Sequence, residues 1–351
     1  NPSVRHYYGD RDSHVEYGKL IRYLGEKVRL ERNLPETEPA WTLAVDFCAY
    51  LRREVKSAIR GMQKMVRLYV FISSDSIYDV CDPRGLSTPV KEEQDTRPLE
   101  EKVLKERAKE EEYGHDKLRC EEYLRSHAAR LEDGFPYICL RLPDVYGPYD
   151  STGRFWSYLF WIQKMNTWPI HTKPEAEKKP LSFVFSQDVI NLLLSLLPTE
   201  KPKHKPISEL HGQSFNISQP ALPLISFISL MSSCIYPGKP LNLLQDVQNK
   251  GKYFYPSVYC PHLCTQKAET LLGWGWTPVE EAVKITAKWF VENGGKYEHE
   301  LKKAVGKVQK VRDWYEKVSF EARRGEAMDT EEGRVGNGGE AAVDEEERDE
   351  K

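Results

Sequence analysis

Short apolar runs that close on polar residues alternate with longer amphipathic stretches through the first half of the chain. Trp41 to Phe47 is one such run, and Arg52 to Met65 after it suits a helix. Arg67 to Ile72 is a second, compact run closed by Ser73, Ser74, Asp75 and Ser76, a pattern that predicts a buried strand with hydroxyls at its carboxyl end. From Leu99 to Ala129, Glu, Lys, Arg, Leu and Ala dominate, Pro is absent and only Gly114 interrupts, which predicts one long helix with a solvated face. Tyr137 to Leu142 is the next predicted strand. The alternation predicts an α/β fold, a parallel sheet with helices on both faces. Ligands of such sheets bind beyond the carboxyl ends of the strands, where Asp46, Ser74 and Asp144 would gather.

The second half mixes shorter elements. Leu181 to Phe185 is strand-like and runs into an apolar helix over Val189 to Leu197; Ser214 to Ile217 is strand-like again, and Gly273 to Trp276 is rich in tryptophan. Glu298 to Val318 carries apolar residues at helical spacing. Beyond about Glu321 the chain is Gly, Glu and Asp with little to bury, so residues 321–351 are expected to form a disordered acidic tail. The expected organisation is 1–150, 151–295 as a mixed second lobe, an extra helix over 296–320, and the tail.

Charge narrows the partners. With 51 Lys and Arg against 54 Asp and Glu, the net charge of −3 gives no basic excess of the kind nucleic acid selects. Lys201, Lys203, His204 and Lys205 read as a solvated loop. No apolar run approaches the roughly 20 residues of a membrane-spanning helix, so neither a membrane nor nucleic acid is an expected partner, and a cytoplasmic location is expected. Seven scattered cysteines lack zinc-site spacing, and no metal is expected; Cys260, His262 and Cys264 alone are a weak signal.

Tyr113 and Lys117, four apart, share one helix face. An ammonium beside a phenol favours the phenolate, and bringing a tyrosine from about 10 toward 7 takes roughly 4 kcal/mol. Such a tyrosine can act as general acid or base. By itself the pair is as well explained by an exposed, charged helix.

Its company is more specific. Ser73, Ser74 and Tyr78 form a Ser-Ser-x-x-x-Tyr signature, and Leu140 to Pro148 reads as Arg-x-x-Asn-Val-Tyr-Gly-Pro with Asp144 in place of Asn. Ser182 to Asp188, Ser214 to Ile217, and Lys267 to Pro278 with Leu272, Gly273 and Trp274 follow in the expected order. In these motifs the chain resembles the extended short-chain dehydrogenases/reductases, the NAD-dependent epimerase/dehydratase family. The resemblance implies a Rossmann-like, doubly wound parallel sheet with a small C-terminal substrate lobe, and NAD or NADP as cofactor. It implies that Ser74 bonds the reacting oxygen, Tyr113 transfers the proton, and Lys117 lowers its pKa and holds the nicotinamide ribose. Asp10 and Arg11, after a first short strand, would contact the adenine end. Phe47, Cys48, Ala49, Ser73 and Pro143 would line the rest of the cofactor. The expected partners are a small-molecule substrate and a second copy of the chain in a homodimer.

Besides Asp144, the chain departs from the family in four places. No glycine-rich phosphate loop of the Gly-x-x-Gly-x-x-Gly or Gly-x-Gly-x-x-Gly type occurs in the 351 residues; since the chain opens on Asn1, just before the segment matching the third strand, the first strand and its loop are expected upstream. A charged insertion, Pro89 to Glu112, separates Tyr78 from Tyr113. Leu181 stands where nucleotide-sugar enzymes place an arginine, and leucine cannot bind phosphate. Asp75 matches the acid of sugar-nucleotide 4,6-dehydratases, but Ser76 replaces the neighbouring Glu. The expected activity is hydride transfer by an NAD(P)-dependent oxidoreductase or epimerase. The alternative is a non-catalytic, dinucleotide-sensing or RNA-associated protein on the same fold, as in chloroplast stem-loop-binding relatives.

Overall fold

The structure, a computed structural model, describes residues 4–8, 13–128, 134–245, 254–256, 260–313 and 316. In chain order the first half holds α1 (His14–Arg32), β1 (Ala44–Asp46), α2 (Arg52–Met62), β2 (Tyr69–Ser74), α3 (Glu101–Glu110), α4 (Glu112–Ala128), β3 (Tyr137–Leu142) and β4 (Asp144–Tyr146). The second half holds α5 (Arg154–Lys164), β5 (Ile170–Thr172), β6 (Pro180–Leu181), β7 (Phe183–Phe185), α6 (Ser186–Ser195), α7 (Ile207–Leu210), β8 (Gln213–Asn216), β9 (Leu222–Pro223), α8 (Leu224–Ile235), β10 (Leu243–Gln245), α9 (Gln266–Leu272) and α10 (Val279–Asn293).

The central sheet is parallel, in the order β1-β2-β3-β8. Every residue of β2 and of β3 is buried, as expected of strands covered on both faces. On one face Val55, Ala58 and Ile59 of α2 and Cys120 and Leu124 of α4 pack against Tyr69, Phe71, Tyr137 and Cys139. On the other, Val70, Ile72, Ile138 and Leu140 meet Val189, Leu192 and Leu193 of α6, Leu272 of α9, and Trp274. Residues 183–217 and 268–274 thus complete the sheet domain, and a separate aromatic core around Tyr146, Phe155, Trp161, Phe183, Phe227 and Phe290 builds the second lobe. The chain is helical over 298–313, with Ala304, Val308 and Val311 buried in that lobe. The expected tail lies outside the described residues.

Three expectations are corrected. Residues 4–8 form no strand: all are exposed, and Arg5 ties the segment to Glu31 of α1 at 2.8 Å. A parallel strand needs a paired neighbour, and among the described residues β1 pairs only with β2. Leu181 to Phe185 is not one strand, because β6 pairs antiparallel with β9 and β7 parallel with β4. The long helix over Leu99 to Ala129 is broken at Glu111, whose φ of −131° and ψ of 70° leave the helical region. No residue of α3 is buried, so no packing holds it in line with α4, whose direction is set by the sheet.

Arg141 of β3 is fully buried and spends all its donors. Its guanidinium bonds both Glu121 oxygens, Asp95, the Tyr78 hydroxyl at 2.8 Å and the Glu92 carbonyl at 2.8 Å. Glu121 also accepts from Ser73 at 2.5 Å and Ser214 at 2.9 Å, and Tyr78 donates to Asn216. The network joins β2, β3, β8, α4 and the charged insertion. Replacing Arg141 by Leu leaves the buried Glu121 without its counter-charge and Asp95 with Arg125 alone, and should cost about 3–5 kcal/mol in urea unfolding. Lys105→Ala, in an exposed pair with Glu101 on α3, should not move the midpoint measurably.

Candidate active site

Tyr113, Lys117 and Glu121 recur every four residues along α4 and meet the last three residues of β2 in turn. Glu121 takes the Ser73 hydroxyl, the Lys117 ammonium donates to the Ile72 carbonyl at 2.8 Å, and the Tyr113 phenol is approached by the Ser74 hydroxyl. The helix comes this close because residue 114 is glycine. A Cβ there would stand 2.1 Å from the Ser76 carbonyl oxygen, inside the 3₁₀ turn that follows β2.

Lys117 is 2% exposed and also donates to the Ala49 carbonyl at 2.9 Å. Its ammonium lies 4.8 Å from the ring centres of Tyr50 and Phe71 and 5.8 Å from that of Tyr113. The expected lowering of the tyrosine pKa is not seen in this arrangement. Burial pushes the Tyr113 phenol up to about 12, helped by Tyr50, whose ring centre is 6.0 Å away, while the Ser74 hydroxyl acts in the opposite sense. The ammonium is directed at two carbonyl oxygens and lies over the rings of Tyr50 and Phe71 as well as near that of Tyr113. Tyr113 itself remains 44% exposed.

Ser74 is buried and its hydroxyl lies 3.1 Å from Ser76 Oγ and 3.4 Å from Asp75 Oδ1. Burial raises the Asp75 carboxyl well above the usual range, and Asp144 and Asp79 raise it further. Asp144, the departure from the family Asn, is buried and pairs with Arg154 at the start of α5 at 2.5 Å.

The remaining predicted residues divide. Ala49 is buried and serves Lys117 through its carbonyl; Pro143 is buried between β3 and β4. Phe47 and Cys48 are exposed on the loop after β1. Ser73 stands beside Ser74 but its hydroxyl is committed to Glu121. Asp46 does not face the sheet edge: it caps its own loop, accepting from the Cys48 and Ala49 amides and from Tyr69. Asp10 and Arg11 lie outside the described residues. Tyr50, Glu121 and Arg154 were not anticipated; only Glu121, one helical turn beyond Lys117, carried a signal in its spacing.

With this geometry in hand, the comparisons give the class. Residues 46–217 match the model of the NAD dependent epimerase/dehydratase family, and the parallel sheet with its flanking helices is the Rossmann-like fold of the solved structures that the chain resembles. Among solved structures it is similar to the dTDP-glucose 4,6-dehydratase of Bacillus anthracis, determined with NAD, at 14% identity over 82% of this chain and 80% of that one, TM-score 0.55. It is likewise similar to the Bordetella bronchiseptica enzyme WbmH with NAD+, at 15% identity over 84% and 85%, TM-score 0.55. For the UDP-glucose 4-epimerase of Thermotoga maritima, determined with UDP-glucose, the values are 20%, 84% and 86%, and 0.52. No curated protein matches the chain in sequence. Among the described residues no helix is long and apolar enough to cross a membrane.

Two substitutions test the helix-to-strand contact. Gly114→Ala, which in an exposed helix would gain about 1 kcal/mol, should instead destabilise by more than that, because the methyl meets backbone. Lys117→Met should cost about 2–4 kcal/mol by leaving the Ala49 and Ile72 carbonyls without a donor. Both are read from urea midpoints.

Proposed function

We propose that the chain is an NAD(P)-dependent enzyme of the epimerase or dehydratase type, working at a carbinol or carbonyl carbon held over Ser74 and Tyr113. The observation that carries this reading is the convergence of Tyr113, Lys117 and Ser74 on the carboxyl end of β2. NAD or NADP, when bound, supplies the hydride acceptor or donor. The residues present suit its nicotinamide half: Tyr113 is half exposed, Lys117 sits beneath it, Pro143 is close in the chain to Asp144, and Phe47, Cys48 and Tyr50 form an accessible rim. For the pyrophosphate, no glycine-rich loop occurs among the 351 residues.

Ser74 would donate a hydrogen bond to the reacting oxygen, and Tyr113 would take or return its proton. A phenol held near 12 stays protonated at neutral pH, so it can donate a proton only as a weak acid and is not available as a base. Positive charge brought beside it favours the phenolate, so binding of an oxidised nicotinamide would prepare the base. Lys117 would hold the Ala49 loop and β2 at a fixed distance from α4.

Titration of the full chain with NADH, NADPH and nicotinamide mononucleotide, followed by tryptophan fluorescence, tests the cofactor. Saturable binding is expected, with NADH gaining no more than about tenfold over its mononucleotide half, since the phosphate loop is not in the chain. Tyr113→Phe should keep that affinity while turnover falls by roughly 10² to 10⁴. The non-catalytic reading is favoured by the two carbonyl bonds of Lys117; it predicts no hydride transfer in either protein, with saturable NADH binding if the chain senses dinucleotides and none if it does not.

A further inference from the structure

Charge is unevenly divided along the chain. Residues 326–351 hold eleven Asp and Glu against three Lys and Arg, so residues 1–325 carry 48 Lys and Arg against 43 Asp and Glu. A body with five surplus cations is thus joined to a segment with eight surplus anions, and such blocks of like charge serve as interaction segments.

The helix over residues 298–313 precedes this segment in the chain. It exposes Lys303, Lys307 and Lys310, which at spacings of four and three share one face. Two other cations of the helix are matched: Lys302 pairs with Glu298 at 3.2 Å and Arg312 with Glu316 at 2.7 Å. Lys303 and Lys310 make no ion pair among the described residues, and Lys307 donates to the Thr152 carbonyl at 2.8 Å. Glu300 stands at one end of the row. On α1, by contrast, Arg22 and Arg29 donate to the carbonyls of Arg60, Glu38 and Lys64, and Glu26 and Glu36 line the same groove.

The Thr152 bond sets the lysine row against an exposed aromatic patch. Tyr149 is 72% exposed and held at a φ of 68°, a conformation that residues other than glycine seldom adopt. Its ring centre lies 4.7 Å from that of Trp289 in α10 and 6.3 Å from that of Tyr297, whose carbonyl accepts from the Leu301 amide in the first turn of the lysine-bearing helix. Exposed apolar surface beside open cations suits a partner in which apolar residues adjoin acids. The acidic segment has that order, since Ala341, Ala342 and Val343 run directly into Asp344, Glu345, Glu346 and Glu347. Residues 314–340 give a contour of up to roughly 90 Å. The helix itself is about 24 Å long, so the segment has ample length to double back over it.

We propose that residues 341–347 dock on their own chain, with Ala341 to Val343 against Tyr149 and Trp289, and Asp344 to Glu347 against Lys303, Lys307 and Lys310. Each exposed ion pair is weak by itself. Tethering raises the local concentration to the millimolar range, at which weak contacts are occupied. The basic body is then neutralised by its own acidic segment.

Initial acetylation rates of single lysines, read by mass spectrometry, test this in the full chain and in a full-length variant carrying Asp344→Asn, Glu345→Gln, Glu346→Gln and Glu347→Gln. At 10 mM salt Lys303, Lys307 and Lys310 should react at least about threefold more slowly in the natural chain than in the variant. The exposed Lys19, Lys56 and Lys201 should react equally in both. In 1 M salt, where the screening length falls from about 30 Å to about 3 Å, the difference should vanish. Tyr149→Gly, which removes the ring and suits the backbone, should reduce the protection to about half. Carbodiimide coupling in a mixture of ordinary and 15N-labelled protein should join the acidic segment to these lysines within one chain. Equal rates at low salt, protection of Lys19, Lys56 or Lys201 in place of the row, or undiminished protection in Tyr149→Gly would each overturn the proposal. Coupling between differently labelled chains would overturn it too, by assigning the segment to a second copy.

Discussion

One buried guanidinium holds the site in register. Arg141 sits with no exposure between β3 and α4 and converts five N–H donors into links to Glu121, Asp95, Tyr78 and the Glu92 carbonyl. An ion pair this deep gains little net stability over an apolar substitute, but once present it tolerates no other arrangement of its partners. Because Glu121 is on the same helical face as Lys117 and Tyr113, fixing its carboxylate fixes the rotation of α4. Everything chemically interesting on that helix is placed by a residue that touches none of the reacting groups.

The electrostatics around Ser74 share a direction. Tyr113 and Asp75 both hold their protons more firmly than in water, chiefly through burial, and Cys260 does the same under burial and the field of Asp75. Neighbouring carboxylates add to the effect, whereas the nearest cations, Lys117 and Arg154, are committed to carbonyl oxygens and to Asp144. Each of these groups is thus biased toward its protonated form, and positive charge brought beside it would act in the opposite sense. That behaviour suits chemistry in which the ligand completes the catalyst.

The strands of the sheet domain could be read from sequence because their signal is local: a compact apolar run closed by hydroxyls becomes β2, and the quoted motifs fall on β3, β4, α6, β8 and α9. That Tyr113 and Lys117 share a helix face was legible from their spacing of four residues, whereas a catalytic role for them and for Ser74 was implied only by the resemblance. What could not be read depends on contacts between distant segments. Lys117 looked directed to a phenol and a ribose until it was found donating to the Ala49 and Ile72 carbonyls, and Asp46 looked like a site residue until it was found accepting from Tyr69 and two amides. Nothing in their own neighbourhoods announces such partners. Helix α1 was missed because its buried stripe is narrow, with only Ile21 and Gly25 buried among its described residues, and it is understood only once it packs along α2. The break at Glu111 was hidden by a composition that favours helix on both sides of it.

That break has a practical side. α3 buries no residue and reaches the 3₁₀ turn after β2 through Arg107, which donates to the Asp79 carbonyl, while α4 is locked to the sheet by glycine contact and the buried ion pair. The two helices are consecutive in sequence yet answer to different constraints. Residues 101–110 therefore offer a place where a reporter or an affinity handle could be spliced into the chain within one residue of the candidate site's own helix, without disturbing the side chains that define it.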